Sequence, residues 1–261
     1  MNLGLENKVY IVTGGSKGIG GSISDVLAEE GAIVIIAGRK SVDGEKKVSE
    51  IVSKGGKADH FQIELTDTER CKALIDYVVE QHGGIDGLVN NAGVNDSISL
   101  ENGSPEEFMA SFQRNVIHFY ALAHYALPHL KASKGSIVNI GSKVAETGQG
   151  NTSGYAASKG AVNALTREWA VELLPYSIRV NCVIPAEVWT PLYERWINSL
   201  PNSEEKLASI VSKIPLEKRF TTAEEIANAT VFLLSNDKSG HTTGQILYVD
   251  GGYTHLDRSL T

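Results

Sequence analysis

The sequence predicts a doubly wound α/β domain, with one parallel sheet of seven strands and helices on both faces. Short β-branched apolar runs alternate with longer helical segments along the whole chain. The runs are continuously apolar rather than alternating, as strands covered on both faces must be. A glycine-rich turn joins the first run to the first helical segment. Right-handed crossovers between successive parallel strands then carry helices to both sides of the sheet.

Strands are expected at Val9 to Thr13, Ile33 to Ala37, Ala58 to Ile63, Leu88 to Asn91, Ser136 to Ile140, Arg179 to Ile184 and Ile246 to Val249. Helices are expected at Gly18 to Glu30, Thr68 to Gln81, Pro105 to Leu130, Ser153 to Leu174 and Ala223 to Leu234. No repeat, low-complexity tract or break in composition marks a second domain, so residues 1–261 are read as one. Val188 to Pro215 fits no crossover. It is rich in aromatic and charged residues and holds a short helical pattern, so residues 188–215 are read as an insertion over the end of the sixth strand, a substrate lid.

The 261 residues carry a net charge of -7, which gives no bulk attraction for nucleic acid or an anionic membrane. Cys71 and Cys182 lie far apart without metal-type spacing and read as reduced thiols. His118, His124 and His255 have no converging ligand set, so no metal is expected. The opening residues 1–8 lack a basic region followed by an apolar one, and no apolar run approaches a membrane span. A cytoplasmic protein is expected.

The turn after the first strand reads Thr13-Gly14-Gly15-Ser16-Lys17-Gly18-Ile19-Gly20 and leads into a helix. Glycines let the backbone approach a pyrophosphate, and the helix N-terminus offers N–H groups and a positive dipole end. The spacing Gly-x-x-x-Gly-x-Gly is weak by itself, but between strand and helix it points to a dinucleotide and a Rossmann-type fold. The second strand ends at Gly38-Arg39, where a carboxylate would bind the ribose 2′-hydroxyl of NAD. Arg39 and Lys17 without an acid favour a 2′-phosphate, so NADP is expected, with NAD the alternative if these are solvated loop charges.

Tyr155 and Lys159 stand four apart in a helix, on one face. An ammonium near a phenol lowers its pKa and makes it a usable acid or base. Alone, such a pair is usually helix surface. Ser142 at the end of the fifth strand and Asn90 to Gly93 at the end of the fourth converge on the same edge, where ligands of open α/β sheets bind.

Taken together, Thr13 to Gly20, Asn90 to Gly93, Asn115, Ser142, Tyr155-x-x-x-Lys159 and Asp250-Gly251-Gly252 resemble the short-chain dehydrogenase/reductase family over nearly the whole chain. The resemblance implies that Tyr155 exchanges the proton of the reacting hydroxyl and Ser142 hydrogen-bonds the substrate oxygen. Lys159 would hold the nicotinamide ribose and depress the Tyr155 pKa, and Asn115 would position a water. The implied cofactor set is Gly14, Ser16, Lys17, Gly18, Ile19, Gly20, Arg39, Glu64, Leu65, Asn91, Ala92, Gly93, Tyr155, Lys159, Pro185, Val188 and Thr190. Two departures stand out: Ala186 follows Pro185 where the family commonly has glycine, and Glu64 replaces an Asp that often contacts adenine. The family also implies a homotetramer, built through the helices of Asn115 and Tyr155 and the last strand.

The residues around the crevice are polar and aromatic: Asn95, Lys143, Gln149, Asn151, Glu187 and Trp189 are read as substrate-binding. Around them lie Val94, Asp96, Glu146, Tyr193, Arg195 and Trp196. A steroid or long acyl chain would want an apolar wall, whereas a polyol needs paired donors and acceptors and rings to stack on. Within the family the resemblance runs to the bacterial L-fucose dehydrogenases. It rests on Val94-Asn95-Asp96, residues 114–118 and 147–155, Pro185 to Tyr193, and the tail Gly251 to Arg258. That branch implies removal of hydride from C1 of an aldose, giving a lactone, with Tyr155 as base. Two alternatives are weighed: an NADPH-dependent ketoreductase such as a 3-oxoacyl carrier-protein reductase, whose acidic carrier suits a chain at -7 poorly, and a non-catalytic dinucleotide sensor, which would typically lack a tetrad member.

Overall fold

The computed structural model describes residues 2–256. The strands are β1 (Val9–Thr13), β2 (Ile33–Gly38), β3 (Lys57–Gln62), β4 (Gly87–Asn90), β5 (Ser136–Ile140), β6 (Arg179–Pro185) and β7 (Ile246–Val249). They pair in parallel in the order β3-β2-β1-β4-β5-β6-β7. The order reverses direction between β1 and β4, and the crevice at such a point receives ligands. Register brings the C-terminal ends to one edge: Thr13 stands opposite Ala37, Asn90 opposite Asn139, Ile140 opposite Val183 and Pro185 opposite Val249.

Helices cover both faces, and the core is correspondingly split in two. One cluster packs Ile11, Ile35, Leu88, Ile137 and Val180 against α3 (Thr68–His82), α5 (His118–Ser133) and α6 (Ser153–Glu172). The other packs Val12, Ile36, Val89, Val138 and Val183 against α1 (Gly18–Glu29), α2 (Ser41–Ser53) and α9 (Ala223–Leu234). Successive strand residues thus feed opposite layers, which is why the runs read as continuously apolar. A single Leu27→Ala truncation in such a layer costs about 2–5 kcal/mol.

Three elements differ from the sequence reading. Helix α2 went unforeseen because only Gly44 and Ile51 are buried along it, so it carries almost no apolar stripe. Gly44 is required there: a Cβ would lie 2.0 Å from the His60 ring. The helix expected at Pro105 to Leu130 is instead α4 (Pro105–Phe112), a π turn at Gln113–Ile117 and α5. Residues 188–215 hold two short helices, α7 (Pro191–Asn198) and α8 (Ser203–Ser212), anchored by the Val188–Thr221 bridge. Among the described residues no helix is long and apolar enough to cross a membrane. Asp257 and Arg258 lie outside the described residues.

Candidate active site

The glycine turn is held open by backbone geometry. Gly14 and Gly18 take φ of +64° and +57°, a region that side chains disfavour. A Cβ on Gly20 would lie 2.4 Å from the Gly14 carbonyl oxygen. Thr13 latches this turn to the end of β4: its Oγ1 accepts from the backbone N–H of Asn91 at 2.9 Å and of Ala92 at 3.0 Å. Asn91 Nδ2 returns a bond to the Thr13 carbonyl at 2.8 Å. Helix α1 opens at Gly18 with no side-chain cap, so its first-turn N–H groups face the crevice without a side-chain acceptor. Exposed N–H groups over a glycine cradle fit a pyrophosphate.

At the end of β2, Gly38 has nothing within 4 Å of a would-be Cβ, and Arg39 is exposed beside it. The absence of an acid assumed from sequence needs correction. Asp43, in the first turn of α2, pairs with Lys17 at 2.7 Å, and that bond holds its carboxyl below the usual range. Of the two cations the sequence suggested there, Lys17 is thus paired, and Arg39 stands exposed. Glu64 folds back on its own loop, accepting from Thr66 N–H at 3.3 Å and Thr66 Oγ1 at 3.2 Å, and Leu65 is buried below. On the other rim, a Cβ on Gly18 would meet Thr190 Cβ at 3.4 Å, so the turn and the start of α7 adjoin. Pro185 closes β6 and Val188 is buried.

Ser142, Tyr155, Lys159 and Asn115 come together. The Ser142 hydroxyl is the side-chain partner of the Tyr155 phenol and favours phenolate. Lys159, one helical turn beyond Tyr155, is buried, with Nζ donating to the Ile140 carbonyl at 2.8 Å and 5.7 Å from the Tyr155 ring centroid. Burial pushes the Tyr155 phenol up, more than Ser142 lowers it, and the Asp96 carboxylate raises it further. Burial likewise brings Lys159 down to about 8. The expected depression of Tyr155 by Lys159 is thus not seen. Desolvation acts on both groups, and the ammonium is directed at a carbonyl rather than the phenol.

Asn115 sits in the π turn, fully buried. Its Oδ1 accepts from Val94 N–H at 2.8 Å, and its Nδ2 donates to Ser111 O at 2.9 Å and Val94 O at 3.1 Å. The side chain is thereby spent on holding the β4 loop, and any water it positions would be met by the loop and turn it shapes. Asp96 supports the arrangement, accepting from Ser111 Oγ at 3.2 Å and from Arg114 at 2.7 and 3.1 Å.

The substrate side is organised by side chains. Lys143, next to Ser142, and Glu187, two residues past β6, form an ion pair with side chains only 11% exposed each. The Lys143 ammonium also lies 3.9 Å from the Tyr253 ring centroid. Trp189 packs on Tyr193 and Phe220 at 5.9 and 5.4 Å between centroids, and Tyr193 on Trp196 at 5.2 Å. Trp189 and Trp196 each stay 41% exposed. Asn95, Gln149 and Asn151 stand on exposed loop positions, and Glu146 turns to Asn163 at 2.9 Å. Of the histidines, His118 is buried and brought to about 4 by burial, His124 stacks on Tyr120, and His255 packs edge-on against Tyr248.

Sequence reasoning missed Thr13, Ser111, Arg114, Asp43 and Tyr253 as supports of the site. Thr13 could have been found as the last residue of β1, facing the β4 loop. Ser111 meets Asn115 within one helical turn, whereas Arg114, Asp43 and Tyr253 act through pairs distant in sequence, which leave no local pattern.

Four similarities bear on this geometry. The sequence model of the family described as Enoyl-(Acyl carrier protein) reductase matches residues 14–254. The chain is 36% identical over 249 residues to the 3-oxoacyl-[acyl-carrier-protein] reductase of Thermotoga maritima, covering 95% of this chain and 98% of that one. It is 35% identical over 246 residues to the L-fucose dehydrogenase of Bos taurus, covering 94% and 88%. The solved structure of Cj0485 dehydrogenase superposes with a TM-score of 0.94 at 46% identity, over 100% of this chain and 99% of that one.

Proposed function

The chain belongs to the short-chain dehydrogenase/reductase family of oxidoreductases, and we propose that within it this protein is a sugar 1-dehydrogenase, oxidising the C1 hydroxyl of an L-fucose-like aldose to a lactone. The observation that carries the reading is the wall beside Ser142 and Tyr155: a buried Lys143–Glu187 pair and a cluster of Trp189, Tyr193 and Phe220 packed at tilted and edge-on angles. Polar groups of both signs match ring hydroxyls, and the aromatic faces suit a pyranose. An extended acyl chain would have no groups to match the donors and acceptors of this wall.

The cradle of Gly14, Gly18 and Gly20, the open start of α1, Asn91, Thr190 and Lys159 fit a nicotinamide dinucleotide. When bound, the nicotinamide supplies the two-electron acceptor for C1. In the free site Ser142 biases Tyr155 toward phenolate by hydrogen bonding. Tyr155 takes the C1 hydroxyl proton, and Ser142 turns its single proton to the same oxygen once the sugar is bound. Lys159 holds the ribose and, as a buried ammonium, adds positive charge behind Tyr155. Asn115 fixes the β4 loop that bounds the nicotinamide side. NADP is the preferred cofactor through Arg39, and residues 188–215 act as the lid. The reading extends to a cytoplasmic homotetramer.

Similarity to the carrier-protein reductase favours a second reading, an NADPH-dependent ketoreductase. Initial rates with a panel of aldoses and a 3-oxoacyl thioester, each with NADP and NAD, separate the two. We expect oxidation of L-fucose, D-arabinose and L-galactose, faster with NADP. Inert aldoses with rapid thioester reduction would reverse the assignment, and equal efficiency with NAD would remove the role given to Arg39.

A further inference from the structure

We propose that the Lys143–Glu187 pair is a charge filter that restricts the site to uncharged sugars, a specificity role that rests on the aldose reading. Lys143 directly follows Ser142, and Glu187 lies between the end of β6 and Thr190, so the pair ties the Ser142 segment to the segment leading into α7. Both side chains are largely buried, and each satisfies the other's charge. The Tyr253 ring also packs against the ammonium at 3.9 Å, which leaves it less access to a second anion. Tyr193 Oη is buried and faces the Glu187 carboxylate, and burial together with that carboxylate raises the pKa of the phenol.

Two other cations beside the crevice are also committed. Arg114 is held by Asp96 through two bonds, and Lys159 donates to a backbone carbonyl behind Tyr155. Arg195 points to solvent on the exposed side of α7. A carboxylate or phosphate entering the pocket would thus lose its hydration without gaining a free counter-charge, and it would meet Glu187. A neutral hydroxyl can instead donate to Glu187 and accept from Lys143 or Tyr193, using the lone pairs and protons the pair leaves free.

L-Galactose and L-galacturonate share a ring configuration and differ at C6, a hydroxymethyl against a carboxylate. The wild-type enzyme with NADP is expected to prefer the neutral sugar in kcat/KM by about tenfold or more, since charged hydrogen bonds are worth about that factor. Glu187→Gln frees the Lys143 charge and should shrink this preference about tenfold, mainly through KM for the anion. The double variant Lys143→Gln, Glu187→Gln keeps the site neutral and should keep the wild-type preference, which separates lost charge balance from a damaged fold. A preference unchanged in Glu187→Gln, or reduced as far in the double variant, overturns the filter. Failure of the aldose reading looks different: the wild-type enzyme then oxidises neither L-fucose nor L-galactose, and a sugar-charge filter falls with it.

Discussion

The cofactor half and the substrate half of the crevice are built by different means. Around β1, α1 and β4 the geometry is written in the backbone: positive φ at Gly14 and Gly18, no room for a Cβ at Gly20, and the Thr13 latch to Asn91 and Ala92. Around Ser142, β6 and α7 it is written in side-chain pairs that close contacts between distant segments, Lys143 with Glu187 and Tyr253, and Trp189 with Phe220. The first kind of site tolerates almost no change of residue but accepts any ligand with the same diphosphate. The second can be retuned one pair at a time, so chemistry is shared across a family while substrates differ.

That contrast is broken most severely at Gly20. Gly20→Ala drives a methyl against the Gly14 carbonyl and Asn91 Nδ2, atoms the latch cannot move. The cost of overpacking, about 1–3 kcal/mol, should appear as a lower melting temperature and dinucleotide affinity weaker by about 10- to 100-fold. Gly148→Ala on the substrate side, where nothing lies within 4 Å, should leave both unchanged. Equal effects at the two positions would erase the distinction, with calorimetry and cofactor titration as the readouts.

The same contrast governs what the sequence made legible. The central strands announced themselves because they feed two apolar layers, and the glycine turn because its residues are adjacent. Tyr155 and Lys159 were found by helical spacing. Helix α2 hid because it buries so little, and the π turn because a one-residue shift within a helical pattern leaves no sign in periodicity. Asp43 escaped notice because it reaches Lys17 from the next helix, and Tyr253 because it reaches Lys143 from beyond the last strand. Residues joined only in space need the fold before they can be read.

A smaller effect sharpens the comparison at the seam between the halves. Lys159 is brought from its ordinary value of 10.5 to about 8 by burial. Between those values the unfolded chain binds the proton that the folded one has released, so the Lys159 contribution to stability rises with pH across that window. Below about pH 8 both states hold the proton and the burial penalty is complete. Lys159→Met should therefore gain stability over the wild type, most at and below pH 8, and the gap should narrow toward pH 10.5. Chemical denaturation at several pH values measures it, and a gap independent of pH would contradict the assigned burial effect.

The most direct test of the central claim is Tyr155→Phe, which removes one oxygen from a site whose other groups are held independently. Turnover of the aldose should fall by about 10²–10⁴-fold while the dinucleotide dissociation constant stays as in the wild type. Turnover within a factor of two of the wild type, with cofactor binding intact, would contradict the assignment of Tyr155 as the base.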